Sequence, residues 1–217
     1  MRKRSSEAVV RMPNIGKADP VSNNATRAEI LEVAAQLIVD RGLEACTMRA
    51  IAKVVNIKAG SLYYHFASKD QIIEEILNSG IAMLLDQVQG TLDELPKGTT
   101  FAKRIEVAIG VHIACMVHPD TAYMRVYDYL PPVMKRRSRA MRNKYADLWF
   151  RLFRDGISNG EVQANLDLTA FVPYFLGGLN RIPEWIRHKR FQNLDIAAMI
   201  SSTLLKGIST GNGKAKA

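Results

Sequence analysis

Residues Thr47 to Phe66, "TMRAIAKVVNIKAGSLYYHF", leave a folding chain few choices. Thr47 stands where a side-chain oxygen can close the start of a helix, and Met48 to Val54 continues with Ile51 and Val55 at helical spacing. Asn56 follows between two apolar residues, and asparagine tolerates the left-handed backbone that a tight turn needs. A third helical stretch, Lys58 to about Phe66, is too short to stand alone in water and must dock on something. Upstream, Ile30, Leu31, Ala34, Leu37 and Ile38 recur at three-to-four spacing from Arg27 until Gly42 stops them. A longer helix supporting two short ones across a tight turn is the sequence form of a helix-turn-helix.

The third helix has two unlike sides. At about 100° per residue, Leu62 and Phe66 fall together on the side that docks, and Gly60 and Tyr64 point the opposite way. Ser61 and Tyr63 flank them. The outer surface therefore offers a bare backbone, a small hydroxyl and two phenols, a face suited to a major groove of double-stranded DNA. His65 and Lys69 stand at its edge, where phosphate-binding groups fix register without reading sequence. Ser68 opens a further capped helix, "SKDQIIEEIL", whose first amides suit one more phosphate. The plainer alternative is that Tyr63 and Tyr64 pack on a neighbouring helix with their hydroxyls in water.

From Ala25 to Ile76 the chain resembles the DNA-binding domain of the TetR family of transcriptional regulators. The resemblance is carried by "ILEVAAQLIVDRGLEACTMRAIAKVVNIKAGSLYYHFASKDQII": a helix ending in RG, the Thr before the second helix, and "GSLYYHFASKD" leading into the fourth. It departs from that family at Asn56, where glycine is usual, and at Lys58, where the usual Ser or Thr cap is replaced by a side chain that cannot accept a backbone hydrogen bond. By resemblance, Thr47, Tyr63, His65 and Lys69 correspond to phosphate contacts, and Gly60, Ser61 and Tyr64 to the groove-facing set. Lys58 is a further candidate for phosphate.

The remaining two thirds also read as helices: Lys69 through Val88 to "DELPKGTT", then Phe101 to Met116, Asp120 to Tyr129, Lys135 to Ile157, Thr169 to Arg190 and Ile196 to Ile208. No strand or repeat is evident. The expected fold is all-α, with a flexible basic arm at 1–24, an N-terminal three-helix helix-turn-helix DNA-binding domain at 25–70, a C-terminal helical ligand-binding and dimerisation domain at 71–208, and a flexible tail at 209–217. The arm carries Arg2, Lys3, Arg4, Arg11 and Lys17 against Glu7 and Asp19, and reads either as a solubilising tail or as a minor-groove arm. In the family the last two long helices make a homodimer and the body encloses a small-molecule effector, so Gly177 and Gly178 are expected to permit close helix approach.

Net charge is +9, and much of it outside the head falls between Lys135 and Arg154, where eight basic residues face Asp147 alone. Such a run reads either as a solvated helix face or as phosphate capture from a ligand such as an acyl-CoA thioester. On the second reading Arg139 and Arg142 hold the anion, and Met116, Tyr123, Trp149, Phe153, Phe175 and Trp185 surround the acyl chain. The stretches "YLPPVMKRRSRAMRNKYADLWFRLFRDGISNGEVQANLD" and "LGGLNRIPEWIRHKR" resemble those of TetR-type regulators of fatty-acid, sterol and aromatic catabolism, several of which sense acyl-CoA.

Other functions find little support. There is no GxSxG, Walker loop or paired His-Glu zinc motif, so a helical acyl-CoA-processing enzyme with an accessory DNA-binding head is the weaker alternative. A nucleoid-like architectural binder would not need so specialised a third helix. His112, Cys115 and His118 share a helical stripe, but Pro119 ends that helix and no carboxylate completes a metal set, so packing explains them better and no metal or cofactor is expected. Cys46 and Cys115 are too far apart in sequence for a CxxC pair, and no run of apolar residues is long enough for a membrane span, so the expected location is cytoplasmic. The expectation is a ligand-responsive repressor, with an activator of the same fold as the alternative in sign.

Overall fold

Capping and turn residues set the ends of the first helices. The structure is a computed structural model and describes residues 27–118, 121, 124, 127, 130–186 and 195–210; the basic arm and Tyr123 lie outside the described residues, as do residues 211–217 of the expected tail. Helix α1 (Arg27–Arg41) ends where Gly42 turns left-handed at φ 81° with its N–H on the Ile38 carbonyl. Helix α2 (Met48–Val54) begins where Thr47 Oγ1 accepts from the Ala50 amide at 3.1 Å. Asn56 takes φ 59°, and α3 (Ala59–His65) follows with Lys58 at its N-cap making no side-chain capping bond. Ser68 then caps α4 (Lys69–Asp93) by accepting from the Gln71 amide at 3.2 Å.

Five more helices complete the described chain: α5 (Phe101–Val117), α6 (Pro132–Arg137), α7 (Arg139–Ser158), α8 (Leu168–Trp185) and α9 (Ile196–Ile208). Thr100, Asp167 and Asp195 supply the capping oxygens of α5, α8 and α9. The stretch expected as one helix from Lys135 to Ile157 is two, broken at the buried Ser138. The break is a consequence of packing: Met134 is buried with the head, while Tyr145, Leu148 and Trp149 are buried in the body. Among the described residues the only extended pairing is an isolated bridge between Val162 and Ser209, and the Gln163 amide donates to the Ile208 carbonyl at 2.9 Å. Ser209 and Thr210, expected as the start of a flexible tail, are thus held against the α7–α8 connection, where the Thr210 hydroxyl donates to the Gly160 carbonyl at 3.0 Å.

Among the described residues two hydrophobic cores form. The first joins Ile30, Ala34 and Leu37 of α1, Ile51 of α2 and Leu62 of α3 to Ile72, Ile73, Ile76 and Leu77 of α4, and is completed by Leu130 and Met134. The second joins Ile81, Leu84 and Val88 of the same α4 to α5, α7, α8 and α9. One helix therefore belongs to both cores, changing from head to body between Leu77 and Ile81. Among the described residues no helix is long and apolar enough to cross a membrane.

Candidate nucleic-acid interface and ligand cavity

Burial on α3 is divided as its periodicity requires. Leu62 and Phe66 are buried, whereas Tyr64 is 87% exposed and Tyr63 is 56% exposed. Gly60 and Ser61 are exposed beside them, and a Cβ on Gly60 would meet nothing within 4 Å, so a partner can approach the bare backbone. The half-buried His65 packs edge-on to Tyr64 at 5.4 Å between centroids. Thr47 and Lys58 are exposed. Thr47 uses its oxygen as a cap and keeps its hydroxyl proton for another acceptor. Lys69 Nζ donates to the Leu43 carbonyl at 2.9 Å, tying α4 to the α1–α2 connection and leaving two of its three N–H groups for an anion.

Arg27 has no counterpart in the sequence reading. Its guanidinium lies 4.0 Å over the Phe66 ring, donates to the His65 carbonyl at 2.5 Å, and pairs with Glu75 through Nε at 3.2 Å and Nη2 at 2.5 Å. It thus locks the end of α3 onto α4. Its partners are 38 and 48 residues away, so no local pattern announces it.

The body contains a cavity of about 570 Å³. Leu77, Ile81 and Leu84 of α4, Met116 of α5, Met124, and Leu176 of α8 make its apolar wall, while Arg139, Arg142 and Arg181 bring positive charge to it. The Arg142 guanidinium lies 4.3 Å over the Tyr127 ring and donates to the Tyr127 hydroxyl; Lys135 Nζ approaches the same ring at 5.5 Å. Arg181 is held by Glu184 at 2.6 Å. Tyr145 reaches the cavity from α7, its hydroxyl 2.7 Å from Nδ1 of the buried His112.

The residues expected around a ligand separate into two groups. Met116, Arg139 and Arg142 line the cavity. Trp149, Phe153 and Phe175 do not: they are buried in an aromatic core, with Trp149–Phe175 centroids 5.4 Å apart and Phe153–Phe175 centroids 5.6 Å apart. Trp185 is half-buried against that core. Sequence reasoning missed Tyr145 and the α4 residues, which read as ordinary core positions. Gly177 lines the cavity; on the α8 surface that carries the 81% exposed Tyr174, a Cβ on Gly178 would meet nothing within 4 Å among the described residues. Of the histidine–cysteine stripe, His112 is engaged by Tyr145, and no group of three candidate metal ligands occurs among the described residues.

Comparison with known proteins places both halves. Residues 30–76 match the family described as bacterial regulatory proteins, tetR family, and residues 98–208 match the tetracyclin repressor-like C-terminal domain. The HTH-type transcriptional repressor KstR2 of Mycolicibacterium smegmatis is 33% identical over 156 residues, covering 69% of this chain and 73% of that one. The fatty acid degradation regulator FadR of Bacillus halodurans superposes with a TM-score of 0.70 at 16% identity, covering 84% of this chain and 99% of that one. AibR in complex with isovaleryl coenzyme A and operator DNA superposes with a TM-score of 0.64 at 23% identity, covering 83% of this chain and 96% of that one.

Proposed function

Because the chain belongs to the tetR family of bacterial regulatory proteins, and is thus a DNA-binding regulator and not an enzyme, we propose that it is a dimeric cytoplasmic repressor released from a palindromic operator by an acyl-CoA thioester. The observation that carries this reading is α4. Leu77 lies in the core that seats α3 and also lines the cavity, and Ile81, one turn on, lies in the body core and lines it too. A ligand that prefers one placement of α4 shifts the spacing of the two α3 helices, and operator affinity falls by the ligand's differential binding energy. Two such helices enter successive major grooves about 34 Å apart.

The cavity supports the choice of effector. Its aliphatic wall suits an acyl chain, and Arg139 and Arg142 suit a phosphate or the thioester end of an anionic ligand. A cavity of about 570 Å³ is of the size that holds a small ligand's apolar part, with a nucleotide moiety outside. AibR, which shares the fold, was solved with isovaleryl coenzyme A and operator DNA. For the dimer, the support is the exposed face of α8 and α9, where Tyr174, Gly178 and Met199 have room for a second copy. On the DNA side, Gly60 lets the helix approach the groove, Ser61 and Tyr64 reach base edges, and Thr47, Lys58, Tyr63, His65 and Lys69 hold phosphates.

Selection from random duplexes tests the DNA arm of the proposal. Inverted repeats with two chains bound per duplex are expected, and a selected site without two-fold symmetry, or one chain per site, contradicts it. In the same assay Tyr64→Ala is expected to lose about tenfold in affinity at one position of each half-site and to accept other bases there. Lys69→Ala is expected to weaken every duplex and to lower the slope of log K against log salt by about two, one phosphate contact being lost from each chain of the dimer. Equal slopes for wild type and Lys69→Ala would remove the phosphate role and leave Lys69 only its bond to Leu43.

A further inference from the structure

We propose that the Tyr145 hydroxyl donates a hydrogen bond to a carbonyl oxygen carried within the apolar body of the effector, and that His112 is the residue that positions it. The inference rests on the reading of the cavity as the effector site. Tyr145 is buried to 6% exposure, yet it lines the cavity together with aliphatic side chains of α4, α5 and α8. Its hydroxyl lies 2.7 Å from His112 Nδ1, the two rings stacked at 18° and 5.9 Å. His112 is fully buried on α5, and among the described residues its Nε2 has no hydrogen-bond partner.

The direction of that hydrogen bond decides what Tyr145 can offer a ligand. Burial lowers the His112 pKa to about 3, so the ring is neutral and carries one proton. With the proton on Nε2, a buried N–H donor would be left without an acceptor; with it on Nδ1, only a lone pair is left. Orphaned buried donors are the rarer of the two in folded proteins. The 2.7 Å contact accommodates either tautomer, and we take the second, in which Nδ1 carries the proton and donates to the Tyr145 oxygen. The hydroxyl's own proton is then left for another acceptor, and burial raises the Tyr145 pKa so that this proton is kept. The Trp149 indole, edge-on to Tyr145 at 6.2 Å, supplies no acceptor.

A neutral donor recognises a neutral oxygen, although Asn143 and Asn180 also line the cavity and offer amide groups of their own. An anion is better served by Arg139 and Arg142, which precede Tyr145 on α7 by six and three residues, about 9 Å and 4.5 Å along the helix axis. The effector thus carries its anionic group at the arginines and a carbonyl further along α7. A purely aliphatic body of the same length would expel water and leave the Tyr145 proton unpaired, which is how hydrogen-bonding sites reject analogues that lack the partner.

The test uses the full chain and calorimetric binding of decanoyl-CoA, of oxodecanoyl-CoA with the ketone moved position by position, and of the corresponding methyl esters. One oxo isomer is expected to bind wild type about tenfold tighter than decanoyl-CoA. Tyr145→Phe, which keeps the ring, is expected to bring that ratio to about one, and His112→Phe to lower it, with the saturated thioester as the reference in each protein. A preference that persists in Tyr145→Phe, or no preferred isomer in wild type, overturns the assignment. The effector reading fails separately: equal affinity for thioesters and methyl esters removes coenzyme A from the account while the oxo ratio still decides on Tyr145. Binding of none of these probes overturns both.

Discussion

Replacing both cavity arginines, Arg139→Gln with Arg142→Gln, is expected to weaken binding of the effector thioester up to about 100-fold, while Arg139→Gln alone is expected to leave operator affinity without effector within about threefold. Each charge-assisted hydrogen bond to an anion contributes roughly tenfold, and because the two arginines share one ligand, about 100-fold is the upper bound for losing both. The arginines are exposed, so the effect should shrink as salt is raised. Arg142 has a second role, stacking on and donating to Tyr127, which packs against the head core. Arg139→Gln alone therefore isolates the charge, and the double variant adds the loss of this link. Unchanged thioester affinity in the double variant would return the basic run of α7 to a solvated helix face and send the effector search toward uncharged ligands.

The largest effect on stability is expected at Gly156. This residue of α7 is buried where a Cβ would come within 2.7 Å of the Phe101 ring and 2.8 Å of Val162 Cγ2. Neither neighbour can retreat easily. Phe101 starts α5, its amide held by Glu161 Oε2 at 2.9 Å and its ring packed on Phe153 at 5.6 Å, and Val162 forms the bridge to Ser209. Gly156→Ala is therefore an overpacking substitution, expected to cost about 2–3 kcal/mol and to lower the apparent Tm by roughly 5–10 °C. Phe101→Leu in the same chain should recover part of the loss, because the two sites are in contact and their effects do not add. A Tm for Gly156→Ala within a degree of wild type would mean that α5 and α7 do not meet there. Since those helices carry Met116, Arg139, Arg142 and Tyr145, the cavity as described would go with the contact.

The head was legible in the sequence because its signals are local. Thr47 and Ser68 cap the helices they precede, Asn56 takes the left-handed turn, and Lys58 leaves α3 without a side-chain cap, each readable from a few neighbouring residues. Helix α9 has the span its periodicity implies, Ile196–Ile208. What the sequence hid depends on distant partners. The interruption at Ser138 is set by Met134 belonging to one core and Tyr145 to another, and no glycine or proline marks it. Arg27 finds its role only when α4 arrives with Glu75. In the body, an aromatic run cannot say whether it fills a core or lines a void: Trp149, Phe153 and Phe175 fill the core, while the plainer Leu77, Ile81 and Leu84 face the cavity.

On the function proposed above, one ligand in the body changes the grip of α3 on DNA through the helix common to both cores. Fluorescence anisotropy on a selected palindromic operator tests it most directly, titrated with and without straight-chain, branched and oxo-substituted acyl-CoA thioesters. At least one thioester is expected to raise the operator Kd tenfold or more at fixed salt. Tight operator binding that no thioester disturbs would contradict it.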